Sequence, residues 1–249
     1  FQRSKIDFIN LKTNDIQDKF SPEISWDIFS SQDQTVFAEL TYLTSGFSWK
    51  PIYKLELNKN DNNAILSVDA EIVNHSNVNL LGISLNVVEG ELNQINPNRS
   101  SSVQMQGRRM ASDSSNNKLG DFYIFNLGNN LNLKSLESVQ FPLIPKRIIS
   151  YNKIYVFSNI ERDQKDEPLD IEISFDNSEE NNLNLPLPSG IAYLYERSID
   201  NKLNFLAKNT ISQLYKGGST SFNAGKAFDI VGKRRILNYD RQSNVEEST

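Results

Sequence analysis

A two-residue hydrophobic period constrains this chain more than any other feature. Between residues 47 and 57, Phe47, Trp49, Tyr53, Leu55 and Leu57 fall on one side, and Ser48, Lys50, Lys54 and Glu56 on the other. Successive side chains of an extended strand point to opposite faces, so the pattern predicts a strand with one buried face. Ala64, Leu66, Val68, Ala70 and Ile72 repeat it against Ser67, Asp69 and Glu71. Asn60-Asp61-Asn62-Asn63 supplies turn chemistry between the two, which are expected to pair as an antiparallel hairpin. Upstream, Val36, Ala38, Leu40 and Tyr42 alternate with Glu39 and Thr41, and Ser45-Gly46 separates them from Phe47. Three consecutive strands would make a meander.

Further strands are expected at residues 24 to 29, 80 to 90, 121 to 127, 137 to 143, 147 to 157, 168 to 175, 190 to 197, 202 to 208 and 227 to 238. Leu169, Ile171, Ile173 and Phe175 against Asp170, Glu172 and Ser174 form the cleanest of these. Many short strands separated by turn residues indicate an all-β fold, an antiparallel β-sandwich with meander and hairpin connections and little helix, rather than a βαβ fold. Only residues 10 to 20 carry a weak helical stripe. Residues 93 to 119 are rich in Ser, Asn and Gln, hold both methionines, and read as a long polar loop. Residues 159 to 167 and 177 to 184 read as shorter polar connections, and Arg241 to Thr249 as a fraying end. The 249 residues make one β-rich domain or two packed β subdomains, at about 1–92 and 120–240, flanking the long loop.

The net charge is −5, which argues against nucleic acid, because phosphate binding rests on an excess of Lys and Arg. Arg108-Arg109, Lys146-Arg147 and Lys233-Arg234-Arg235 are expected to be solvated turns or strand ends. With no cysteine, disulfides, thiolate nucleophiles and Cys-type zinc sites are excluded. No apolar run approaches the roughly 18 residues that cross a bilayer as a helix. Because the chain begins at Phe1, without an initiator Met, it reads as an excerpt of a longer protein, and the compartment stays open. Roughly one residue in eight is Asn, which suits turns. Asn74-His75-Ser76 and Asn98-Arg99-Ser100 are sequons that matter only in a secreted protein of a glycosylating organism.

Catalytic chemistry is sparse. The single histidine, His75, lies in a turn-like stretch and is expected to be an exposed loop residue. No Gly-x-Ser-x-Gly elbow is present. The stretch from Gly218 to Lys226 has a superficial likeness to a phosphate-binding loop. Its glycines are too far apart, however, and Ala227 stands where a magnesium-binding hydroxyl belongs, so it reads as a turn between strands. The carboxylate pairs Asp69 with Glu71 and Asp170 with Glu172 read as solvated strand faces. Asp163, Asp166 and Glu167 lack the spacing and central glycine of a calcium loop. No cofactor or metal is expected. Aromatic side chains are the remaining binding candidates. Trp26, Tyr193 and Tyr195 could form a stacking surface for sugars or peptides, whereas Trp49 and Tyr53 belong to the core.

The run Val36 to Asn58 resembles the C-terminal domain of mucoidy inhibitor A-like proteins, a domain of unknown function, through Leu40, Tyr42, Gly46, Trp49 and Tyr53. Three later blocks agree in order: Ile72 to Ser76 followed by Leu85 to Gly90, then Leu185 to Gly190 leading to Tyr195-Glu196-Arg197, then Gly225 to Ile230 with Arg234-Arg235. Asn77-Val78-Asn79-Leu80-Leu81 departs from that family's more acidic, Trp-containing segment, and family members continue past the Arg-Arg element with further strands. The resemblance implies a β-rich module of envelope or exported proteins, with no assigned activity and no functional residues to carry over. The expectation is therefore a non-catalytic structural or protein-interaction module whose partner is a protein or a surface polymer. A carbohydrate-binding domain and an unrecognised carboxylate-dependent hydrolase are the alternatives.

Overall fold

Alternation sets the strands, and the strands account for most of what the computed structural model describes: residues 39–58, 61–89, 118–119, 122–158, 166–198 and 200–234, with Gln32 and Thr35. The chain divides into two compact units, Phe1–Leu43 and Thr44–Thr249. Among its described residues the second carries eleven strands: β1 Phe47–Asn58, β2 Asn63–Asn74, β3 Leu80–Glu89, β4 Lys118–Leu119, β5 Phe122–Leu133, β6 Ser138–Ser150, β7 Asn152–Val156, β8 Glu167–Asp176, β9 Gly190–Arg197, β10 Leu203–Ile211 and β11 Ser219–Gly232. No helix occurs among the described residues, and the fold is all-β. The strand expected at 24 to 29, the weak helical stripe and most of the 93–119 loop lie outside the described residues.

Three sheets form, ordered β10-β9-β1-β2-β6, β11-β8-β7 and β3-β5-β4. The expected hairpin is present, with β1 and β2 antiparallel from Phe47↔Asn74 to Leu57↔Ala64. Every second residue of β2 is buried, as its sequence requires. The expected meander is not formed. Residues 39 to 43 make no strand, Leu40, Tyr42 and Leu43 are exposed, and the other neighbour of β1 is β9, parallel to it from Ile52↔Ile191. Pro51 and Gly190 explain where that ladder begins. Pro51 has no N–H to offer a neighbouring strand. A Cβ on Gly190 would lie 2.5 Å from the Pro51 carbonyl oxygen, so only glycine allows the approach.

The long hairpin spans two cores. At one end, Tyr53, Leu55, Leu66 and Val68 pack with Ile173 and Phe175 of β8 and Phe222 of β11. At the other, Ala70 and Ile72 pack with Val87 of β3 and Leu133 of β5, and Trp49 lies partly buried against them. The five-stranded sheet is thus covered on one face by the two smaller sheets side by side, which is a sandwich. Strands on both sides of residues 93–119 share the five-stranded sheet and the β3-β5-β4 sheet, so the two flanks do not separate into one sheet each.

Residues 137 to 143 and 147 to 157, expected as two strands, divide differently. β6 runs through Pro142 and Pro145 to Ser150, with its ladder to β2 shifted between Leu66 and Val68 and again before Asp69. As an edge strand, β6 can hold prolines that a central strand would exclude. The break falls at buried Tyr151, whose N–H donates to the Asn62 carbonyl and after which the chain crosses into the β11-β8-β7 sheet.

Buried asparagines lock the connections. Asn177 is fully buried and donates from Nδ2 to the carbonyls of Leu185 (2.7 Å) and Tyr215 (2.9 Å). Asn181 donates to the carbonyls of Ser150 (3.0 Å) and Asp176 (2.9 Å) and accepts from the Ser150 N–H at 2.6 Å. The polar connection 177–184 is therefore a structural clamp. Each of these amides substitutes for a ladder that the backbone cannot make at a sheet corner.

Candidate functional site

Paired residues in a sheet share a face, which assembles the sequence candidates on the outer side of the five-stranded sheet. Lys54 stands beside Tyr193 and Glu56 beside Tyr195 in the β1–β9 register, while Lys208 and Phe205 of β10 flank the same tyrosines from the other side. Tyr195 and Phe205 meet edge to face, with ring centroids 5.8 Å apart. Lys54 Nζ lies 5.7 Å from the Tyr195 ring centroid, and Lys208 Nζ lies 5.7 Å from that of Tyr193. Trp26 lies outside the described residues.

Glu56 was expected on a solvated face but is only 6% exposed. Lys54 Nζ bonds its Oε1 at 2.7 Å, and the Arg197 guanidinium bonds its Oε2. Desolvation, the largest single influence, pushes the carboxyl upward. The hydrogen bonds from Lys54 and Arg197, with their charges, outweigh it and hold the group below the ordinary carboxylate range. Arg197 is itself pinned by the Asn201 carbonyl (3.0 Å) and Oδ1 (3.1 Å). Beside this network a groove of about 1100 Å³ is lined by Asp61, Asn63, Ile148, Glu196 and Asp200.

Of the two carboxylate pairs, Glu71 forms a strand-surface ion pair. Glu71 is bonded by Lys50 at 2.6 Å and accepts from Ser138 Oγ at 3.1 Å, and the Lys50 bond holds its carboxyl below the ordinary range. Asp69, Glu71, Asp170 and Glu172 are all half-buried rather than fully solvated. A general acid needs a carboxyl pushed upward, and Glu56, Glu71 and Glu180 all move downward. Among the described residues no three His, Asp or Glu side chains gather as a metal site. Asp163 lies outside the described residues, and Asp166 pairs with Lys233 at 3.4 Å. Of the remaining basic residues, Arg147 is half-buried rather than solvated, donating to the Asn182 carbonyl at 2.7 Å. Arg108, Arg109 and Arg235 lie outside the described residues.

His75 is exposed, as expected, with Nε2 3.1 Å from Ser48 Oγ. The sequon before it is structurally occupied. Asn74 is fully buried; its Nδ2 donates to the carbonyls of Val78 (2.8 Å) and Lys134 (2.9 Å), while its Oδ1 accepts from the Ser76 N–H and hydroxyl. The nitrogen a glycan would need is committed to carbonyls of the β2–β3 and β5–β6 turns.

The stretch expected as a turn from Gly218 to Lys226 is mostly strand. β11 begins at Ser219 and pairs with β8 through Phe222↔Ile173. Two irregularities follow. Gly225, at φ +100°, donates its N–H to Asn223 Oδ1 at 2.7 Å in the first. In the second, residues 227 to 230 stand opposite Leu169 alone, because Lys226 pairs with Asp170 and Val231 with Pro168. An extra residue re-aims side chains in a bulged strand, and here the usual order is inverted. Ala227 is buried, whereas Phe228 is 94% exposed, with Ile230 and Val231 exposed beyond it. Sequence reasoning missed this surface because Phe228 and Ile230 carry the spacing of an inward face. The one available signal was Gly225, which marks a bulge when it interrupts a strand pattern.

Comparison of the chain with family models, with curated proteins and with solved structures finds no match.

Proposed function

We propose that this chain is a non-catalytic protein-interaction module and that the bulged half of β11 is its contact surface. The observation that carries this reading is Phe228, held 94% exposed by a bulge that buries its alanine neighbour instead. Burying one such side chain contributes about 1.5–3 kcal/mol, and aromatic anchors on a rigid strand lose little entropy on docking. Ile230 and Val231 extend the same apolar segment.

The alternatives draw less support. A sugar-stacking platform needs a free ring face, but Lys54 lies over the face of Tyr195 and is held there by Glu56. A carboxylate hydrolase needs a raised carboxyl, and the shifts at Glu56 and Glu71 run the other way. The resemblance to the mucoidy inhibitor A-like domain, with the envelope or exported setting it implies, belongs to the same proposal. Its support is that three of the four blocks interlock. Gly46 accepts from the His75 N–H at 2.7 Å, the Tyr53 hydroxyl donates to the Pro188 carbonyl at 2.5 Å, and Glu89 accepts from the Ser189 N–H and hydroxyl. Residues of that kind hold a fold together and leave function to surfaces between them.

The test is site-specific photocrosslinking, with a benzophenone side chain at position 228 and, as control, at position 208 on β10 of the five-stranded sheet. A discrete protein adduct at 228, absent at 208 and competed by unlabelled chain, is expected. Equal labelling at both positions, or turnover of an ester, glycoside or peptide that is lost on changing one carboxylate, would overturn the reading.

A further inference from the structure

We draw no further inference here: the strongest candidate, the groove of about 1100 Å³ at the end of the five-stranded sheet where the β1–β2 and β9–β10 turns meet, carries nothing, because its rim of Asp61, Glu196 and Asp200 is a cluster of acidic residues alone and its buried carboxylate, Glu56, is already taken up by Lys54 and Arg197.

Discussion

The β1–β2 hairpin and the β8–β11 pair are built from equally regular alternation and end up differently. In the hairpin, register runs unbroken for eleven residue pairs, and every second residue of β2, from Ala64 to Asn74, is buried. In β8–β11, register holds from Ser219 to Asn223 and then slips twice, so Ala227 is buried and Phe228 is exposed. The hairpin has a sheet on its inner face along its whole length, and a one-residue slip there would turn every apolar side chain outward. The far half of β11 has no such constraint, since it lies at a sheet edge beyond the core contacts made by Phe222. Burial on a sheet enforces register, and release from it permits bulges that present side chains to partners.

That contrast can be attacked by mutation, and the largest effect should come from the hairpin. Leu66→Ala removes a fully buried side chain where the register cannot adjust, and should cost about 2–5 kcal/mol in urea unfolding. A loss below about 1 kcal/mol would mean that the hairpin core is far more plastic than its register suggests. Asn177→Ala should follow at about 1–3 kcal/mol, because it removes a fully buried amide that satisfies the part-buried carbonyls of Leu185 and Tyr215. The same unfolding experiment reads it, and a neutral result would remove the clamp from the account.

Acid should act next. The carboxyls of Glu56 and Glu71 sit lower in the folded chain than in the unfolded one. Their contribution is therefore complete above the unfolded value, about 4.3, and is lost as pH falls through the lower folded values. Unfolding midpoints should fall below about pH 4, and Glu56→Gln should flatten part of that slope. A Glu56→Gln variant with an unchanged acid limb would show that the Lys54–Arg197 network carries no linkage. At the small end, Phe228→Ala should shift monomer stability by less than about 0.5 kcal/mol, since the ring touches little within its own chain. A shift above about 1.5 kcal/mol would show that the ring packs inside its own chain, and the comparison would collapse.

Local pattern made most of the strands legible. Gly190 to Arg197 was read to the residue, and the β1–β2 pair was read with its turn. The failures share a physical cause. The alternation of Leu40 and Tyr42 is as good as that of β1, yet those residues are exposed, because an amphipathic pattern says that a face can be buried and not that a partner exists. Asparagine chemistry was read as turn chemistry. Asn74, Asn177 and Asn181 do sit at turns, but each amide also bonds a backbone carbonyl distant in sequence, of Lys134, Tyr215 and Ser150 in turn, which local reasoning cannot see. Glu56 lies on the polar side of its strand by pattern, and its burial depends in part on Arg197, a partner far along the chain.

The sequence by itself determined the class of this fold, since a two-residue period buries one face only if the chain is extended. It also determined which side of the hairpin faces inward, and it excluded cysteine chemistry outright. Only the tertiary structure decided the neighbours: β9 beside β1, and the two small sheets over one large one. It alone exposed Phe228, because ladder register depends on what lies across the sheet, and a bulge is a compromise between two strands that neither strand encodes alone.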